Sequence, residues 1–172
     1  MIKKIFLGTL VALFLLSGLT SMASAEPIQE GLHYLPSKPL PEKSGTGKRV
    51  VYSLDEQHVW LIDKNGVLVA DFPTAGRADK PGVGKYRVAS KSRKSRNLDY
   101  EVTFNYMVRF AKGQRAWIGF HDIPRSYDGK LWHTQAELGT PIGKGGCPHL
   151  AKTDAKFLYN WVKVGTQVVV VN

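Results

Sequence analysis

Tyr100-Glu101-Val102-Thr103-Phe104-Asn105-Tyr106-Met107-Val108-Arg109-Phe110 alternates without a break along its length. Tyr100, Val102, Phe104, Tyr106, Val108 and Phe110 fall on one side of that alternation. Period two predicts a long β-strand with those side chains turned to a core. Lys112-Gly113-Gln114 then turns the chain into the apolar run Ala116-Trp-Ile-Gly-Phe-His121. The two runs are expected to pair, which places His121 at the end of a well-supported β element.

Working back toward the N-terminus, Val50 to Leu54 and His58 to Ile62 are short runs rich in β-branched and aromatic residues. Asp63-Lys64-Asn65-Gly66 supplies an Asn-Gly hairpin turn, and Val67 to Phe72 is the return strand. Glycine and proline punctuate residues 75–84 as a loop, Lys85 to Ala89 resumes a strand, and Ser90 to Arg96 reads as an exposed basic loop. Working forward, residues 122–146 carry Pro124, Asp128-Gly129, Gly139 and Pro141 with no apolar period, a loop long enough to suggest a functional role. Thr153 is expected to cap a helix beginning at Asp154, with Ala155, Leu158, Trp161 and Val162 on its buried face and Gly165 at its end. Thr166 to Val171 closes the domain. The fold expected is mainly β, a sandwich or barrel of about seven strands with one α-helix in the C-terminal half.

Met1-Ile-Lys3-Lys4, the apolar run Ile5 to Leu16 and Ala23-Ser24-Ala25 together make a secretory signal peptide over residues 1–25. The apolar run falls short of the ~20 residues a spanning helix needs. Residues 26–48, with four prolines, are expected as an extended linker, and residues 49–172 as the domain. The formal net charge is +10, or +8 once Lys3 and Lys4 leave with the signal peptide. An exported protein this basic is drawn to anionic wall polymers. No nucleic-acid motif is present, and no later stretch suits stable membrane insertion.

Cys147 is the single cysteine, so it cannot form an internal disulfide. A buried inert thiol, an intermolecular disulfide and a nucleophile are the readings open to it. Its setting, Gly145-Gly146-Cys147-Pro148, favours the nucleophile, because Gly145 and Gly146 let backbone amides approach a substrate. A thiolate at neutral pH needs an imidazole or positive dipoles nearby. Of the five histidines, His33 lies in the linker and His58 opens a strand; His121, His133 and His149 flank the cysteine. Only His121 ends a strand with apolar neighbours on both sides; the bland alternative is a half-buried strand histidine bonded to backbone.

Ile118-Gly-Phe-His121, Glu137-Leu-Gly-Thr-Pro141 and Gly146-Cys147 together resemble the L,D-transpeptidase catalytic domain (YkuD type). Asp79-Lys-Pro-Gly-Val-Gly-Lys-Tyr86, Thr153-Asp-Ala155 with Leu158-Tyr159, and Val164-Gly-Thr-Gln-Val168 extend the resemblance from about Arg49 to Val171. The resemblance implies a β-rich fold, no cofactor and action on peptidoglycan stem peptides. It implies that Cys147 attacks a tetrapeptide carbonyl to form a thioester while His121 moves the protons. The Asp122 carbonyl would orient His121, and amides at Gly145, Gly146 and Cys147 would hold the oxyanion. An amine acceptor gives a cross-link or an attached protein, water gives carboxypeptidase activity, and carbapenem-type β-lactams would acylate the same thiol.

The family signature runs Ser-His-Gly-Cys, an apolar residue, then Arg or Asn; here the run is Lys144-Gly-Gly-Cys-Pro-His149. Lys144, His149 and His133 are candidate substrate contacts. The altered signature motivates a second expectation, a peptidoglycan-binding module of the same fold that has lost turnover. A third, zinc held by Cys147, His149, His133 and His121, lacks the usual ligand spacing, and no metal is expected.

Overall fold

The structure is a computed structural model that describes residues 38–99 and 101–172. The expected signal peptide (1–25), the first part of the linker with His33, and Tyr100 lie outside the described residues. The domain begins with β1 (Arg49–Ser53), β2 (His58–Ile62) and β3 (Leu68–Pro73), followed by β4 (Gly84–Arg87) and β5 (Ser90–Arg96). The long hairpin is β6 (Val102–Lys112) and β7 (Trp117–Asp122). Then come β8 (Arg125–Ser126), a 3₁₀ turn at Gln135–Glu137, β9 (His149–Leu150), α1 (Lys152–Trp161) and β10 (Gln167–Val171). One sheet has the order β3-β2-β1-β10-β4; the other has β5-β6-β7-β9, with β8 pairing β6.

The expected mainly β fold with one helix is observed, and each of the seven expected strands has its counterpart. Three more strands appear. β8 and β9 are two residues each, too short for any period to show. β5 is the segment expected as a basic loop: it pairs antiparallel with β6, and Arg109 reaches across to the Ser92 and Ser95 hydroxyls at 2.9 and 3.1 Å. Alternating serine and basic residues hide its strand character, because pairing with β6 rather than intrinsic propensity makes it extended.

The core lies between the sheets. Val50 and Tyr52 of β1, Val59 and Leu61 of β2, Phe72 of β3 and Val168 and Val170 of β10 face Val108, Phe110, Phe120 and Leu150. α1 rests on β6, β7 and β9 through Ala155 and Leu158, and its Phe157 meets Phe72 edge to face at 5.9 Å. The helix begins two residues before the expected start: Ala151 is the N-cap and makes no side-chain cap bond. β9 runs almost directly into the helix, so backbone geometry sets the start rather than the Thr153 hydroxyl, which bonds Asp154.

Val51, Trp60 and Ile62 point the other way and form a second apolar cluster. The described end of the linker covers them, since Trp60 donates its indole N–H to the Lys38 carbonyl at 2.8 Å and Gly45 sits against Val169.

The sheets are also joined at both edges. Beyond β3, Ala75 exchanges two backbone hydrogen bonds of 2.9 Å with His149. At the opposite edge, the chain leaving β4 is held by Ala89 N–H to the Arg109 carbonyl at 2.8 Å. The sandwich is therefore drawn partway toward a barrel, and the β3–β9 seam lies beside the candidate site.

Candidate functional site

The β6–β7 hairpin delivers His121, and β9 runs parallel to β7 with His149 opposite His121. Two residues upstream, Cys147 lies beside the β7 backbone: its sulfur donates to the Trp117 carbonyl at 3.9 Å, and the Gly119 amide bonds to it. The thiol is half-buried and packs against the main core.

His121 is buried. Its Nδ1 lies 2.7 Å from the Asp122 carbonyl oxygen, and its ring stacks on Phe104 with centroids 4.0 Å apart. A carbonyl oxygen can only accept, so Nδ1 carries the hydrogen and the neutral ring presents a bare Nε2. Burial holds the imidazole down to about 4, against the upward pull of the Asp122 carbonyl; the Arg109 charge adds to the depression. Burial pushes the Cys147 thiol up, with the Gly119 amide and then Arg109 acting in the opposite sense. Near neutral pH the two groups are thus a thiol and a free base, not an ion pair. A neutral imidazole with a bare nitrogen can accept a proton, which is the state a general base needs. The Asp122 side chain turns to β6, where its carboxylate accepts from the Asn105 backbone and amide at 2.5 and 2.9 Å.

His133 and His149 come together as well. His133 Nε2 lies 3.0 Å from His149 Nδ1, and the rings stack at 5.2 Å. The rings of His149 and His121 have centroids 4.8 Å apart. Burial, and then the charges of His121 and His133, hold His149 well below its ordinary value. His133 and His149 line a groove of about 240 Å³ together with Trp132, Glu137, Gly143 and Lys144. Gly145 is exposed with open space where a Cβ would stand, whereas a Cβ on Gly146 would meet the end of Ile118 at 2.8 Å. Among the described residues, no group of three or more His, Cys, Asp or Glu is arranged to hold a metal ion.

Sequence reasoning did not single out Gly119, Phe104 or Arg109. The apolar alternation of β6 carried a signal for Phe104 but no indication that its ring meets an imidazole. The role of Gly119 rests on strand adjacency, which no local pattern encodes.

The family model described as L,D-transpeptidase catalytic domain (YkuD) matches residues 47–170. No curated protein sequence matches the chain. Among solved structures, the chain is similar to an L,D-transpeptidase (Yku) from Stackebrandtia nassauensis, at 23% identity and a TM-score of 0.56, covering 76% of this chain and 59% of that one. An L,D-transpeptidase from Mycobacterium tuberculosis H37Rv matches at 22% identity and a TM-score of 0.56, covering 74% and 59%. L,D-transpeptidase 3 from Mycobacterium tuberculosis, in complex with a faropenem-derived adduct, matches at 21% identity and a TM-score of 0.52, covering 74% and 61%. The chain thus spans about three fifths of the length of these structures, and the likeness is one of fold.

Proposed function

The chain belongs to the L,D-transpeptidase catalytic domain family, and from that premise we propose that it is an exported cysteine acyltransferase acting on peptidoglycan stem peptides in the periplasm or cell wall. Cys147 attacks the stem-peptide carbonyl, its proton passes to His121 Nε2, and the terminal residue leaves as an amine that takes the proton back. The thioester is then resolved by an amine or by water. Amides at Gly145, Gly146 and Cys147 are the candidates for holding the developing oxyanion, since the backbone there is exposed or half-exposed. One observation carries the reading: His121 sits on β7, Cys147 lies in the bend two residues before the adjacent parallel strand β9 with its sulfur against the β7 backbone, and the imidazole is tethered through Nδ1 so that Nε2 is free.

The third structure above carries a faropenem-derived adduct, and the experiment uses a penem or carbapenem. Incubated with the mature chain, it should add its mass to Cys147, and Cys147→Ala should take up none and lose turnover of purified tetrapeptide fragments. Equal turnover in the variant would rule out the nucleophile assignment. The second reading, a wall-binding module without turnover, draws on the raised proton affinity of the thiol and on the Lys144-Gly145 and His149 departures. It predicts no adduct on a folded protein that still sediments with peptidoglycan.

A further inference from the structure

His149 belongs both to the buried wall of the site and to the groove. Its backbone is bonded to Ala75 on one side and lies opposite His121 on the other. The order of protons along the imidazoles follows from their partners. The Thr134 carbonyl, 3.0 Å from His133 Nδ1, can only accept, so that nitrogen carries hydrogen and neutral His133 has a bare Nε2. His149 Nδ1 must therefore donate across the 3.0 Å contact, which leaves His149 Nε2 bare as well. His121 and His149 then present two bare acceptors on neighbouring rings, and only His149 is hydrogen-bonded outward to a half-exposed partner.

An amine acceptor arrives at neutral pH as an ammonium, since amines hold their proton up to pH ~8–10. It must shed that proton before its lone pair can attack. Resting on the thioester reading above, we propose that His149 accepts this proton from the incoming ammonium and that His133 relays it to the rim of the groove.

An ammonium N–H bond breaks and the proton joins His149 Nε2, while the Nδ1 proton of His149 moves to His133 Nε2. The freed amine attacks the thioester carbonyl, the C–N bond forms, the C–S bond breaks, and the second amine proton returns to the sulfur through His121. His133, then protonated on both nitrogens, loses its outward Nδ1 proton to water. The two rings regain their starting tautomers by proton exchange with water before the next turnover. The charges around the pair set the direction. Burial first, and then the charges of His121 from β7 and of His133, oppose positive charge on His149; Arg109 of β6 acts in the same sense on His121, and Lys144 lines the same groove. Glu137, from the 3₁₀ turn, is a carboxylate whose proton affinity falls chiefly through its bonds to Thr134 and further through the charge of His133, so the positive charge rests best at the outer ring. His133 is the positioning residue, and His149 is the group that meets the acceptor.

His133→Gln tests this, because a glutamine oxygen can accept the His149 Nδ1–H but cannot take up a proton. With a tetrapeptide donor and glycinamide as acceptor, aminolysis in the variant should fall about 10-fold or more at pH 7. It should recover as the pH rises past the pKa of the amine, where free amine needs no relay. His133→Asn keeps the bond toward Thr134 and drops the one to His149, so it should show the same pH-dependent recovery. A wild-type pH profile in these variants, or a loss equal at every pH, overturns the relay. Wild type that transfers to no amine also overturns it, but leaves the thioester reading standing if the β-lactam adduct forms on Cys147. A wild type with no adduct sinks both.

Discussion

His121 is held neutral by its burial, and this has a consequence for stability as well as for chemistry. The folded ring takes up a proton only near pH 4, whereas an unperturbed histidine does so at 6.5. Between those values the unfolded chain binds a proton that the folded chain refuses. The contribution of His121 is thus whole above pH 6.5 and is lost as the pH falls through 4, a difference of about 3 kcal/mol. His149, held low for the same first reason, adds to the same limb. The melting temperature should therefore fall steeply between pH 6.5 and 4, and His121→Gln should flatten that limb even if it melts lower at pH 7. An unchanged acid slope in the variant, measured by circular dichroism, would contradict the assignment. The four residues this site depends on were visible one by one in the sequence, as the only cysteine and its three flanking histidines. The contacts among the three histidines were not, because His133 reaches His149 across a loop without apolar period, and His149 reaches His121 only through a two-residue strand.

At the scale of elements, β7 is held closely against β6. A Cβ on Gly119 would come within 2.7 Å of the Val108 carbonyl carbon and 2.8 Å of the Arg109 Cα, where the strand register shifts. Backbone cannot swing aside as a side-chain tip can. Gly119→Ala should therefore destabilise by roughly 2 kcal/mol or more, in the range of overpacked cores, and should take acylation with it, since the Gly119 amide meets the Cys147 sulfur. Gly145→Ala is the matched control, with nothing within 4 Å of the added carbon. It should melt within about 1 °C of wild type, because surface changes away from special geometry cost little. Thermal melts of the two variants decide the point. The long hairpin was legible because its alternation is undiluted, and the Asn-Gly turn because it occupies a tight reversal between β2 and β3. β5 was not, since its extended form is imposed by a neighbour. The helix start shifted because a strand feeds it without a capping side chain.

For the molecule as a whole, the order β3-β2-β1-β10-β4 matters most. β10 pairs parallel with β1 along five residues and antiparallel with β4, so the C-terminal strand is interior to its sheet. Val168 and Val170 put their side chains into the main core from that position. Deleting residues 166–172 should consequently abolish cooperative unfolding rather than fray an end, and a sigmoidal melt from the truncated chain would refute this. The ribosome makes β1 early and β10 late. A nascent chain therefore emerges with a raw hydrogen-bonding edge down its centre, which stays open until nearly the whole domain has been synthesised.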